Sequence, residues 1–107
     1  MFLNAMKIKD LSQAPLAESI SYNGPLCGEP IRGRDLVTRF LSVFLPVLKD
    51  VRVIRHIADG DYVATIWQAD TSFGEVSLVY VLRLEAGKIA EIQAFYDPRG
   101  FLERLGT

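Results

Sequence analysis

The sequence predicts an α+β fold, with helices early in the chain laid on one face of a curved antiparallel meander sheet. Three observations predict it. Residues 51–96 alternate apolar and polar side chains over four runs, the period-2 mark of half-buried strands. The breaks between those runs are short, and Asp59-Gly60 is a strong hairpin signal, so consecutive strands lie antiparallel. Ahead of them, residues 36–48 repeat apolar side chains at helical spacing behind a Gly- and Pro-rich loop. Helices first and strands afterwards is the order of a sheet with helices segregated to one face.

Residues 1–21 read as two short helical pieces. Phe2, Leu3 and Met6 share a face, and Asp10 caps a second piece through Leu11, Leu16 and Ala17, which Pro15 interrupts unless it occupies the first turn. Ile20-Ser21-Tyr22 alternates as a short strand, and residues 24–30, with two Gly and two Pro, form a loop. Gly33-Arg34-Asp35 opens a helix with Gly33 or Asp35 near its cap. Leu36, Val37, Phe40, Leu41, Val43, Phe44, Val47 and Leu48 make it apolar over most of its circumference, so it needs a sheet on one side and more protein on another. Pro46 kinks or ends it. Strands follow at 51–58, 62–70, 75–85 and 88–96, the last two joined by a turn at Ala86-Gly87. Asp97 caps a closing helix with Pro98 at its first position.

With 107 residues the chain is read as one domain, residues 1–107, long enough to bury a core without disulfide or metal. Hydrophobic residues at 50% and charged residues at 23% argue against disorder. A net charge of -1, with Arg residues scattered among acids, supplies no basic surface for nucleic acid. No apolar run is long enough to span a bilayer, and the start has no basic-then-apolar leader pattern, so no membrane partner is expected and the cytoplasm is the default. The single Cys27 permits no internal disulfide, which fits a reducing compartment. One His, one Cys and scattered acids give no metal site, and no cofactor is expected.

Alternation sorts the strands into two faces. Ala90, Ile92, Ala94 and Tyr96 share one, with Val76, Leu78, Tyr80, Leu82 and Leu84. That set should face the helices. The other holds Ile89, Glu91, Gln93 and Phe95, with Ser77, Val79, Val81, Arg83 and Glu85. There Val79, Val81 and Phe95 form an exposed apolar patch, most simply covered by a second copy in a two-fold dimer.

Three pieces carry a resemblance: Gly28-Glu29-Pro30-Ile31-Arg32-Gly33, Gly87-Lys88-Ile89 and Phe95-Tyr96-Asp97. With the order of elements, over residues 16–101, the chain resembles the nuclear transport factor 2-like (cystatin-like) superfamily, which includes ketosteroid isomerases, limonene epoxide hydrolases and SnoaL-like polyketide cyclases. The long first helix of that superfamily looks shortened here. The resemblance implies a cone enclosing an apolar pocket, often paired through the outer sheet face. It also implies which positions carry chemistry, and this chain departs from them. The ketosteroid isomerase base, an Asp before the loop Pro, is replaced by Gly24, and its oxyanion-binding Asp by Tyr80. Its Tyr on the first helix has no counterpart. The Arg and Asp pair of the epoxide hydrolases falls on Leu78 and Tyr80. Their second Asp, close to the acid/base Asp of the cyclases, falls on Ala94. What transfers is pocket lining: Phe40, Val63, Thr65, Trp67, Tyr80, Ile92, Ala94 and Tyr96, with Tyr22 at the mouth.

Each has a plain reading beside it. Trp67 fills the cone or stacks on a flat ligand. Tyr80, a phenol in apolar surroundings, needs a hydrogen-bond partner that a ligand oxygen would supply. Tyr22 and Tyr96, at strand ends, read as rim packing. His56 reads as structural or exposed, Cys27 as an inert loop thiol, Asp70 as a turn residue and Asp97 as a helix cap. The leading expectation is a binding domain for a small hydrophobic molecule, oriented by Tyr80 and Thr65. The alternatives are an isomerase, cyclase or hydrolase using Tyr80 as acid or oxyanion stabiliser, and a dimeric interaction module using the outer face.

Overall fold

A computed structural model describes Leu11 and residues 14–105. One six-stranded sheet organises them, in the order β2-β1-β6-β5-β4-β3. The elements are β1 (Leu16–Asn23), β2 (Ile31–Arg32), helix α1 (Arg34–Ser42), a 3-10 turn (Leu45–Val47), β3 (Leu48–Asp59), β4 (Tyr62–Thr71), β5 (Gly74–Glu85), β6 (Lys88–Phe95) and helix α2 (Arg99–Leu105).

The four-strand meander forms as the alternation predicts. Its hairpins close over Gly60, at φ 60, and over Ala86-Gly87, at φ 53 and 78. Positive φ at both central positions of the second turn gives it the twist that antiparallel strands favour, at a cost of ~1 kcal/mol for the Cβ of Ala86.

The sheet is mixed, which corrects the wholly antiparallel expectation. β1 runs parallel to β6, with Ser21 beside Glu91, Tyr22 beside Ile92 and Asn23 beside Gln93. Short connections dictate antiparallel pairing only between consecutive strands, and the whole meander lies between these two. β1 also replaces the expected second helical piece. Leu16 and Ala17 are strand residues, and the Ile89 N–H donates to the Pro15 carbonyl at 2.8 Å. An irregularity between Leu16 and Ser21 breaks the alternation that would have disclosed the strand. The Phe2, Leu3 and Met6 helix lies outside the described residues.

Helix α1 starts at Gly33, whose φ of 96 suits a residue without a side chain. It ends at Ser42, short of the expected Leu48, because Pro46 has no N–H to return to the Ser42 carbonyl. Val37 and Leu41 are buried while Leu36 and Val43 are each 53% exposed, so only one side of the helix is covered. Leu48 begins β3 instead.

Two of the sheet's register shifts reset the faces of its later strands. The register shifts between Val53 and Arg55, and again at Arg83/Leu84 opposite Ile89 and Glu91. Ile54 and Ala90 are the extra residues. Ile89 therefore turns inward and is buried, against the outward placement simple alternation gives it. Elsewhere alternation holds: Leu78, Tyr80, Leu82, Ile92 and Ala94 join Ile20, Val37, Leu41 and Trp67 in one core. At the C-terminal end the Asp97 carboxylate accepts from the Arg99 N–H at 3.0 Å, the expected capping bond at the start of α2. The Arg99 guanidinium beside it lowers the Asp97 pKa to about 2. Among the described residues no helix is long and apolar enough to cross a membrane.

Candidate functional site: a tyrosine cluster in the cone

The concave side of the sheet, closed by α1 and α2, concentrates the chain's large aromatic residues. Tyr22 from β1, Trp67 from β4 and Tyr80 from β5 are all buried, with Tyr96 just beyond β6. The Trp67 and Tyr80 rings meet edge to face at 5.1 Å between centroids, and Tyr22 and Tyr80 at 6.2 Å. Phe40 of α1 lies 5.0 Å from Tyr22. Around them remains a cavity of about 20 Å³, lined by Tyr22, Phe44, Leu48, Trp67, Leu78, Tyr80, Tyr96 and Phe101. That is room for roughly one water. The cone is thus filled almost completely by its own side chains.

Its polar content is unusual for an interior. The Tyr22 hydroxyl is hydrogen-bonded to that of Tyr80 and to that of Tyr96. Burial, with neighbouring phenols adding to it at Tyr22, raises the pKa values of Tyr22 and Tyr80 far above the ordinary tyrosine range. Tyr96, nearer the mouth, is pushed up to about 12, again chiefly by burial. All three stay neutral hydroxyls at any physiological pH. The Trp67 indole N–H is buried and has no hydrogen-bond partner among the described residues. That unmet N–H can only donate, and so can meet an acceptor.

Of the residues expected to line a pocket, the structure brings Tyr22, Trp67, Tyr80 and Tyr96 to this cavity. Tyr22 corrects its assignment to the rim: β1 is an inner strand of the sheet, between β2 and β6, and its ring is 1% exposed. Phe40 packs behind Tyr22. Val63 lies towards the far end of the β3–β4 hairpin, beside Ala58 and Leu82. Thr65 is buried beside Tyr80, but its hydroxyl is engaged 2.8 Å from His56 Nδ1. Ile92 is core. Ala94 packs against Gly24, where an added Cβ would stand 3.1 Å from the Ala94 Cβ and 3.4 Å from the Tyr22 hydroxyl. Gly24 and Ala94, two small residues, are therefore in close contact here.

Sequence reasoning missed Phe44, Leu48, Leu78 and Phe101 as lining residues. The available signal was the cluster Phe95-Tyr96 and Phe101, aromatic residues bracketing a helix cap. Cys27 is a free, half-buried thiol in the loop beside the cluster, and burial raises its pKa. Asp70 does more than end a strand: Arg52 donates to both its oxygens, at 2.7 and 3.1 Å, and holds its carboxyl below the usual range. Among the described residues no group of three or more His, Cys, Asp or Glu could hold a metal ion. Two open surface grooves lie outside the cone. One, about 260 Å³, runs along Asn23, Gly24, Pro25, Gln93, Ala94 and Phe95. The other, about 470 Å³, lies between Leu11, Ala14 and Leu16 and the Arg34, Asp35, Thr38 and Arg39 side of α1.

Compared with known families, residues 2–92 match the SnoaL-like domain. The chain belongs to the SnoaL-like domain family. Its fold is nuclear transport factor 2-like and cystatin-like, as solved structures of similar shape agree. A protein from Kribbella flavida superposes with a TM-score of 0.86 at 19% identity, over 95% of this chain and 85% of that one. A steroid delta-isomerase from Pseudomonas aeruginosa gives a TM-score of 0.79 at 25% identity, over 97% and 80%. A nuclear transport factor 2-like protein of unknown function from Cytophaga hutchinsonii gives 0.75 at 21%, over 94% and 88%. No curated protein matches the chain. This SnoaL-like domain therefore shares a shape with a steroid delta-isomerase.

Proposed function

We propose that this SnoaL-like domain binds a small, largely apolar molecule carrying an acceptor oxygen, and does not turn it over. The observation that carries this reading is the buried Trp67 N–H, a donor without a partner beside the tyrosine hydroxyls. An unpartnered buried donor is costly, by about 1–3 kcal/mol, and an acceptor oxygen brought by a guest removes that cost. Apolar burial supplies the affinity and the donors supply the orientation. The likeness to a steroid delta-isomerase supports a hydrophobic guest. It argues less for catalysis, because the close Gly24–Ala94 contact occupies the place of the missing carboxylates. The unpaired Cys27 fits residence in the cytoplasm.

Trp67 is the chain's one tryptophan, so its fluorescence reports on the site without a label. Titration with a panel of aromatic and steroid ketones should shift or quench that emission saturably, and the Trp67→Phe variant should bind the same ketones more weakly by calorimetry. A panel that leaves emission and calorimetry unchanged removes the reading. Conversion of a steroid substrate by the purified protein would restore the enzymatic alternative, with Tyr80 as acid or oxyanion stabiliser.

A second reading concerns the opposite face and rests on its own observation. Ile66, Val79 and Phe95 lie directly across from one another on β4, β5 and β6, with Val81 in the next row, and Phe95 is 54% exposed. We propose that a second copy of the chain covers this row in a two-fold dimer. Sedimentation velocity should find a dimer that Phe95→Glu dissociates.

A further inference from the structure

The two edges of the sheet are unlike. At one, β2 is two residues long and offers almost no row of backbone groups. At the other, β3 runs for twelve residues, and among the described residues no strand lies beyond it. The first half of β3 is partly covered, with Leu48 and Val51 buried. Past the bulge at Ile54, every residue from Arg55 to Asp59 is exposed. The strand is regular there, from Arg55 opposite Ile66 to Asp59 opposite Tyr62. Its outward N–H and C=O groups therefore stand in an even row that another strand can take up. Arg55, Ile57 and Asp59 alternate onto the outer face, and Ile57 is 52% exposed. Arg52 and Arg83 nearby each have acidic partners. Among the described residues Arg55 and Asp59 have none.

We infer that residues 55–59 of β3 pair antiparallel with the same residues of a second copy, about a two-fold axis through Ile57, joining two sheets edge to edge. The choice of occupant follows from charge complementarity. Turned about Ile57, a copy sets its Asp59 opposite Arg55 and its Arg55 opposite Asp59, with Ile57 against Ile57 at the centre. Residues directly opposite in an antiparallel pair share a face and interact, so both unpaired charges find a partner of opposite sign, twice over. The register is specified too. An axis through His56 sets Arg55 opposite Ile57, and an axis through Ala58 sets Asp59 there, so either slip leaves the charges unpaired. The pairing does not rest on the face-to-face dimer proposed above: it uses a different strand and sets the sheets side by side. A few residues from each copy make a small contact, so it is the weaker of the two and forms at higher protein concentration.

Sedimentation equilibrium at high protein concentration tests this in the Phe95→Glu chain, where the face-to-face contact is disrupted. The expected result is a monomer–dimer equilibrium that Arg55→Asp and Asp59→Arg, added singly, each weaken at least ~10-fold, because each sets like charges opposite one another on both sides of the axis. An equimolar mixture of the two variants should regain the association, since opposite charges then meet at both places. If Asp59→Arg, beside the hairpin turn, does not fold, Ile57→Glu and Ile57→Lys take the place of the pair: each repels its own copy across the axis, and the two mixed attract. No self-association of the Phe95→Glu chain at any concentration overturns the inference, leaves the edge to a foreign strand or to solvent, and does not touch the face-to-face reading. Association that the single reversals fail to weaken, or that the mixture fails to regain, overturns it as well.

Discussion

The two faces of this sheet are built from the same strands, yet they solve different problems. On the concave face Tyr22, Trp67, Tyr80, Ile92 and Ala94 are almost fully buried, and the hydroxyls present are linked to one another. On the convex face Arg52 is clamped by Asp70 and Glu75, at 2.7 and 2.8 Å, and Arg83 lies 3.2 Å from Glu85. Beside those ion pairs, Ile66, Val79 and Phe95 form an apolar row, half-buried at Ile66 and Val79 and exposed at Phe95. The concave face has settled its polar groups among themselves, except for one indole N–H. The convex face has settled most of its charges and left apolar surface over. Each leaves one kind of unmet demand, a donor inside and apolar area outside, and these are the two places where a partner gains most.

Alkaline pH should separate the faces most strongly. Tyr22, Tyr80 and Tyr96 have pKa values raised in the folded chain, so their contribution is whole below about pH 10, where an unfolded tyrosine begins to ionise, and is lost as the pH rises beyond it. With three protons involved, stability should fall by up to about 4 kcal/mol per pH unit, read from urea unfolding across that range. Next in size, Trp67→Ala should cost about 3–5 kcal/mol through the cavity it leaves, while Val79→Ala on the convex face should cost under ~1 kcal/mol. Equal losses would erase the distinction between the faces. Phe95→Glu should leave the unfolding free energy of the monomer within ~0.5 kcal/mol and weaken self-association at least ~10-fold, measured by sedimentation. Smallest of all, Arg52→Ala should lower stability slightly, and the difference from the unaltered chain should shrink in high salt, as an exposed pair is screened.

Much of the scaffold was legible because its signals are local. Asp59-Gly60 and Ala86-Gly87 mark turns within a few residues, and Leu78, Tyr80 and Leu82 display their face by alternation alone. Gly33 announced the start of α1, and Asp97 that of α2. What stayed hidden depends on distant or irregular contacts. The strand character of Leu16 and Ala17 comes from pairing with β6, which no neighbouring residue encodes. The inward turn of Ile89 comes from a bulge at Ala90, which shifts the residues before it relative to the alternation that Ile92 and Ala94 keep. The site was half legible for the same reason. Trp67 and Tyr80 lie on regular strands, whereas Phe44 and Phe101 reach the cavity from a 3-10 entry and a capping helix whose orientation is set by packing.

The parallel pairing of β1 with β6 has a bearing on how the chain is made. Synthesis delivers β1 early, with Leu16, Ile20 and Tyr22 needing cover, but its neighbour Ile92 emerges only after the whole meander has been translated. Contacts between such distant segments form slowly, and apolar strands awaiting a partner are prone to mispairing. The tyrosine cluster, which needs Tyr22 beside Ile92, therefore depends on a contact between segments far apart in the chain.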